Sequence, residues 1–439
     1  MRLWRLLAAL VLWIGLGAAP AQAALEVATG VFSIDTGAAT TTYSVTGLAF
    51  EPKVVLVWWS GRSDTVDASG EQDIQPGFGV CHSLTSRWAV TGQADHDAAT
   101  TATDEYMTDA ACVAVLDTAG AVAGLADFSA FTSDGFTVVV DDAFPTLLRV
   151  SYLALGGSDL TNVATGQYTM ATSVGEYNAI TGLAFQPDFV LVATNFLNTA
   201  LPSLSAQFWM SIGAATSAAN QALLSIFTED GLATSSTASY ARSGEITASH
   251  YDLAGDDRES FVQFNSDGVR LNHLEGAAAR RVVYLVLKGG QYHVGNFTTA
   301  TDTSNFTEAT PFLPKGALFF SANRAESTQD VSTDHAEWSV GAATSSTART
   351  AQSVRDKEAS ADADSFSAIE HDQLYINASN DAAQVVEGLG DLVSFDATPQ
   401  MTLVMDNADP VASFVWYIAF GDAALATCPK TRALLGVGC

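Results

Sequence analysis

The sequence predicts an all-β protein made of three tandem β-sandwich, jelly-roll-like modules of about 130 residues each. Two observations carry that prediction. One set of ordered landmarks recurs three times along the chain. Between the landmarks lie short runs rich in Val, Thr, Phe, Tyr and Trp, separated by turn residues and showing no convincing helical period.

The first landmark is Val27-Ala28-Thr29-Gly30-Val31-Phe32, which returns as Val163-Ala164-Thr165-Gly166-Gln167-Tyr168 and, degraded, as His293-Val294-Gly295-Asn296-Phe297. The second is Gly47-Leu48-Ala49-Phe50-Glu51-Pro52 running into Lys53-Val54-Val55-Leu56-Val57. Its second copy spans Gly182 to Val192, and the third keeps Phe312, Pro314, Lys315 and Ala317-Leu318-Phe319-Phe320. A glycine strand follows in each copy: Gly77-Phe78-Gly79-Val80, Ser211-Ile212-Gly213-Ala214 and Ser339-Val340-Gly341-Ala342. Each copy closes with Ser133-Asp134-Gly135-Phe136, Ser266-Asp267-Gly268-Val269 or Phe395-Asp396-Ala397-Thr398, and then a tyrosine strand. Tyr152, Tyr284 and Tyr417 are 132 and 133 residues apart, which sets the period. The modules are therefore placed at 25–158, 159–290 and 291–422, after a signal segment at 1–24 and before a tail at 423–439.

Within the first module the expected strands are Val27–Ile34, Thr41–Thr46, Lys53–Trp59, Phe78–Ser83, Trp88–Gln93, Cys112–Leu116, Ala126–Phe131, Phe136–Val140 and Leu147–Leu155. The run Val54–Val57 is continuously apolar and belongs to a central strand. Asp134-Gly135 and Asp267-Gly268 are hairpin-turn dipeptides. Ala397 stands in place of the third glycine, so that turn is expected to be of another type. The Ala-rich stretch from Ala214 to Leu224 is read as strand and loop.

Repeats of this form open with Thr-Gly-x-Phe/Tyr, continue through Gly-Leu-x-Phe-x-Pro and close with Asp-Gly-Phe and Tyr-x-Ala-x-Gly-Gly. They resemble modules of phage and prophage virion proteins, of the tail-fibre-like, host-facing kind. The resemblance covers nearly all of 25–422 and rests on structural landmarks. It implies a β-rich scaffold at a virion or cell surface and brings no catalytic residues.

Arg2 and Arg5, the apolar run Leu6–Ala19 and Ala21-Gln22-Ala23 have the form of an export signal, with retention as an anchor left open. The secreted or virion-surface location that follows makes disulfides expected. Cys81–Cys112 and Cys428–Cys439 are the economical pairs, with buried thiols at the first pair the alternative. The chain carries 19 Lys+Arg against 48 Asp+Glu, a formal charge of −29. A surface that acidic repels phosphate backbones and anionic lipid, which argues against nucleic-acid binding and against membrane insertion once the signal is cleaved.

Chemistry is sparse. The sequence holds no GxSxG, HExxH, P-loop or GxGxxG motif. Asp95-His96-Asp97, Asp334-His335 and His371-Asp372 put carboxylates beside imidazoles, but neighbours on a strand face opposite ways and solvated loop polarity is the preferred reading. His250 and His371 are expected in comparable strands. Asp64, Asp67 and Asp73, with Asp362 and Asp364, invite a calcium test, yet EF-hand and RTX spacing are missing and solvation is again preferred. No cofactor or resident metal is expected. One binding hint comes from aligning the copies: Trp59 falls where the others have Thr194 and Ser321, which suggests an outward aromatic beside Gly61, Arg62 and Asp64. Trp59, Arg62 and Asp64 are therefore the candidate ligand-binding residues, suited to stacking on sugar rings. Burial of Trp59 against the next module or a partner subunit is the alternative and weighs slightly more. The sequence thus points to a secreted, non-enzymatic structural or adhesion protein that binds surface glycans or a protein partner, with homo-oligomerisation open. A polysaccharide-degrading enzyme and a filament or coat assembly protein are the competing classes.

Overall fold

The computed structural model describes residues 24–63, 67–249, 257–326, 335–378 and 385–423. The signal segment up to Ala23, the tail from Ala424 with the Cys428–Cys439 link, and Asp64, His250 and Asp334 lie outside the described residues.

The first third of the chain forms β1 (Glu26–Ile34), β2 (Thr42–Val45), β3 (Pro52–Trp59), β4 (Ala68–Glu71), β5 (Gly77–Ser83), β6 (Ser86–Ala94), β7 (Thr103–Thr108), β8 (Val113–Leu116), β9 (Val122–Thr132), β10 (Gly135–Asp142) and β11 (Leu148–Gly156). The second forms β12 (Asn162–Thr169), β13 (Gly175–Ile180), β14 (Phe189–Thr194), β15 (Ser203–Ala206), β16 (Phe208–Ser217), β17 (Asn220–Thr228), β18 (Thr237–Ser243), β19 (Thr247–Ala248), β20 (Arg258–Asn265), β21 (Gly268–Glu275) and β22 (Arg281–Lys288). The third forms β23 (Gln291–Thr298), β24 (Phe306–Ala309), β25 (Gly316–Ser321), β26 (Ala336–Ser345), β27 (Ala348–Asp356), β28 (Ser365–Glu370), β29 (Tyr375–Ala378), β30 (Val386–Phe395), β31 (Gln400–Asn407) and β32 (Phe414–Gly421). The protein is all-β, as the sequence predicts. Strands β4 and β7 are additions: Ala68-Ser69-Gly70-Glu71 and Thr103-Asp104-Glu105-Tyr106 lack the apolar alternation that marks a strand.

Three large sheets each face a small one. The orders are β1-β11-β3-β5-β6-β7 over β2-β10-β9-β8, β12-β22-β14-β16-β17-β18 over β13-β21-β20-β19, and β23-β32-β25-β26-β27-β28 over β24-β31-β30-β29. The same strand order thus occurs three times. Two strands leave their own unit: β15 of the second pairs with β7 of the first, and β4 of the first pairs with β28 of the third. Edge strands that would otherwise present open hydrogen-bonding groups are covered in this way.

The large sheets are buried on both faces, which is why their central strands read as continuous apolar runs. Along β3, Val55, Val57 and Trp59 enter the first sandwich, while Val54, Leu56 and Trp58 enter a second core. That second core is shared, since Leu191 and Met210 of the second unit and Phe320, Trp338 and Trp416 of the third join it. Phe78 meets Phe320 with ring centroids 6.0 Å apart, and Phe320 stacks on Trp416 at 4.0 Å. The contacts run head to tail. Strand β6 packs on β12 and β16, β17 packs on β23 and β26, and β27 packs on β1 and β11. The three units therefore close into a ring within one chain, the outcome of a repeated heterologous contact whose rotation closes.

The landmarks mark close approaches. Gly30, Gly166 and Gly295 each pair with a signature tyrosine, Tyr152, Tyr284 or Tyr417, whose ring fills the space a Cβ would need. Gly79, Gly213 and Gly341 lie under backbone carbonyls of Cys112, Ile246 and Leu374. The Asp-Gly dipeptides need a correction. The two-residue hairpin loops are Ser133-Asp134 and Ser266-Asp267, closed by the pairs Thr132–Gly135 and Asn265–Gly268. Gly135 and Gly268 are instead required by the carbonyls of Val45 and Ile180, 1.8 and 1.9 Å from where their Cβ would lie. Cys81 and Cys112 form a disulfide joining β5 to the segment before β8 in the facing sheet. Among the described residues no helix is long and apolar enough to cross a membrane.

Candidate functional site

The residues predicted to bind ligand do not form an exposed platform. Trp59 has no exposed surface and lies inside its own sandwich rather than against a neighbouring unit. It fits because Gly77 is directly opposite on β5, where a Cβ would come within 2.1 Å of the indole. The alignment misled because Thr194 and Ser321 are buried as well. Their hydroxyls donate to the carbonyls of Arg281 and Phe414 and accept from the N–H groups of Phe196 and Asn323. A polar residue at that strand end is a satisfied turn cap, so its polarity does not report exposure. Arg62 is also buried, and its Nη1 donates to the carbonyls of Gly70 on β4 and Ser367 on β28. It fastens the exchanged strand. Asp64 lies outside the described residues.

Two polar groups that the sequence left unassigned recur between units. Arg87 on β6 pairs with Asp127 and donates to the carbonyl of Ala110; Arg349 on β27 pairs with Asp391 and donates to the carbonyl of Asp372. In the second unit Gln221 makes the equivalent tie to the backbone of Phe261. Burial raises both Asp127 and Asp391 to about 6 despite the arginines. Glu259, fully buried, accepts from Tyr168 Oη (2.7 Å) and from Tyr177, with His273 Nδ1 3.9 Å away. The cluster has catalytic residue types but sits inside the second sandwich, where burial drives both tyrosines well above their usual range. It satisfies a buried carboxylate.

The loops after β6, β17 and β27 meet each other at one end of the ring. Thr101 and Leu232, Ser235 and Ser360, and Asp97 and Ala363 are joined by backbone hydrogen bonds. The histidines there are seam contacts, contrary to the solvated reading. His96 Nδ1 accepts from the N–H of Ser365 in the third unit at 3.1 Å. His335 Nδ1 accepts from the N–H of Glu358 within its own unit at 2.8 Å, while its carbonyl accepts from Ser239 Oγ of the second unit. Burial, followed by the charges of Arg355 and Lys357, lowers His335 to about 4.

Among the described residues, an exposed group of convergent polar side chains lies where β4 of the first unit joins β28 of the third. Asp67 precedes β4, and His371 and Asp372 follow β28; all three are exposed, and their ligand atoms lie within 4.8 Å of one another. His371 Nδ1 is 2.5 Å from Asp67 Oδ1, which also accepts from the N–H of His371 at 3.1 Å. Burial opposes ionisation of Asp67, but the hydrogen bonds from His371 outweigh it and hold the carboxyl below its usual value. Glu370 beside it is pushed up to about 7 by burial, a hydrogen bond with Asp67 and the charges of Asp67 and Asp372. The sequence held both halves of this group, 304 residues apart, with nothing to join them.

No family model matches the chain, and no curated protein does. Among solved structures, it is similar at 10% identity to the mouse laminin alpha1 chain, domains LG4-5, over 62% of this chain and 84% of that one, with a TM-score of 0.08. A similarity that low carries no argument here.

Proposed function

We propose that the chain is an exported structural and adhesion protein of a cell or virion surface, acting as a rigid block that engages a protein partner or a surface glycan. The observation that supports this reading best is the closed ring itself. Three copies of one fold share a core and exchange strands, which gives a stiff body with three repeated outer faces. In the loop seams His96 and Glu358 are committed to inter-unit hydrogen bonds, accepting from the N–H groups of Ser365 and Thr237. The Cys81–Cys112 disulfide suits an oxidising compartment. With Trp59 and Arg62 buried, sugar stacking on that pair is withdrawn, and contacts fall to the polar loops at the ring ends.

The test is retention of the exported chain on host-cell surfaces and on a glycan array, alongside a panel of polysaccharide and peptide hydrolysis assays. Saturable retention without turnover is the expected result. Turnover of any substrate in the panel, without retention, would overturn the reading in favour of an enzyme.

A further inference from the structure

We propose that Asp67, His371 and Asp372 form a divalent-cation site that clips the exchanged strand β4 of the first unit to β28 of the third. The three side chains come from two segments 304 residues apart, yet converge with all ligand atoms within 4.8 Å. The set is one imidazole nitrogen and two carboxylate oxygens. That mixture suits a borderline cation such as Zn²⁺ better than Ca²⁺, which takes oxygen ligands alone. All three side chains are exposed, so water can complete the coordination.

An independent observation lies beneath the group. Gln373 is only 5% exposed, and its Nε2 rests against Asp372 Oδ1 at 3.5 Å and Asp406 Oδ2 at 3.1 Å. Its Oε1 is buried without a donor. A water bound to a cation at Asp372 is a strong donor and would satisfy that oxygen, the usual way an outer amide supports a metal ligand. His371 Nδ1 and Asp67 Oδ1 are 2.5 Å apart, closer than two ligands of one cation at about 2.0–2.2 Å each. Loading therefore separates them by roughly half an ångström to one ångström, a movement exposed side chains make freely.

The site stands apart from the adhesion reading and is tested without it. Zn²⁺ is titrated calorimetrically into the full exported chain, with excess Ca²⁺ present to occupy diffuse acidic positions, and the thermal midpoint is followed in parallel. One Zn²⁺ per chain is expected, with a midpoint that rises on loading because the cation joins two units. His371→Ala and Asp372→Asn, both surface changes, are each expected to weaken binding at least tenfold and to abolish the midpoint rise. Asp97→Asn, at the exposed carboxylate beside His96, is expected to change neither. Stoichiometric binding unaltered in both site variants, or no zinc binding in the parent, overturns the site. Binding lost in the variants but never accompanied by a midpoint rise overturns the clip.

Discussion

Trp59 lies directly opposite Gly77 across the β3–β5 ladder, and the same cross-strand positions are Thr194–Ser211 and Ser321–Ser339 in the other two units. The pair is one packing unit solved two ways. A large ring over a bare backbone fills the space in one copy; two small hydroxyl residues fill it in the others. In the second form Ser211 and Ser339 accept from the N–H groups of Ala248 and Ile376 in the facing sheet.

This relationship reverses what the alignment alone implies for Trp59→Ser. The substitution removes a fully buried indole and is expected to cost about 3–5 kcal/mol, comparable to Trp58→Ser. Gly77→Ala should be damaging too, because its Cβ would overlap the indole. The double change Trp59→Thr with Gly77→Ser installs the pair used by the second unit. It is expected to recover at least about 1 kcal/mol relative to the sum of the single changes, as coupled neighbours do. Chemical denaturation of the parent, Trp59→Thr, Gly77→Ser and the double change closes the cycle, and strict additivity would refute the pairing argument.

How far the sequence was legible follows from such particulars. The sheet repeats could be read because Gly30, Gly166 and Gly295 are each forced by a tyrosine ring, so landmark and signature change together. The substitution of Gly77 for Ser211 and Ser339 was also visible, and it held the information that Trp59 points inward. Reading polarity at Thr194 as exposure hid it, because a buried hydroxyl with a backbone partner looks identical in sequence to a solvated one. Both-face burial of β3 was announced by Val54–Trp59, but the run cannot say what covers the second face. The ring, the exchange of β4 and β15, and the meeting of Asp67 with His371 depend on contacts between distant segments, and no local pattern encodes them.

The shared core implies that the units do not melt separately. Gln352 on β27 of the third unit is buried against the first. It accepts from Ser60 Oγ at 2.7 Å and donates to Ser151 Oγ at 3.0 Å and, more weakly, to the carbonyls of Trp58 and Arg149. Gln352→Leu strands these groups inside the interface, at about 1–3 kcal/mol for each one left unsatisfied. Scanning calorimetry should show a lowered midpoint while the three units still unfold in one transition. Separation into two or more transitions would mean that the core does not couple the units.

The Cys81–Cys112 bond closes a loop of 31 residues between facing sheets. Restricting the unfolded chain over such a loop is worth about 3–4 kcal/mol in the chain-entropy picture. Cys81→Ala with Cys112→Ala should lose about that much stability and still fold, since the two positions lie in an apolar core. Peptide mapping of the exported chain should recover 81–112 as a linked pair. Free thiols there would contradict both the bond and an oxidising compartment.

Two groups in the loop seams should give pH dependences of opposite sign. His335 titrates at about 4 in the folded chain against 6.5 unfolded, so the unfolded state binds more protons between those values. Its contribution is complete above pH 6.5 and is lost as pH falls toward 4, because its Nδ1 must remain an acceptor for the N–H of Glu358. Asp356 is fully buried, with its carboxyl raised to about 6 from 3.8, first by burial. Here the folded state binds more protons, so stability is greatest below pH 3.8 and declines as pH rises through 6. His335→Asn keeps an acceptor without a titrating ring and should flatten the acid side of the stability curve. Asp356→Asn should remove the decline toward neutral pH, leaving the variant relatively more stable at pH 7 than at pH 4 when each is compared with the parent. Denaturant midpoints at pH 4, 5, 6 and 7 on the parent and both variants separate the two contributions. Parallel curves for the parent and His335→Asn would show that the ring does not stay neutral at the seam.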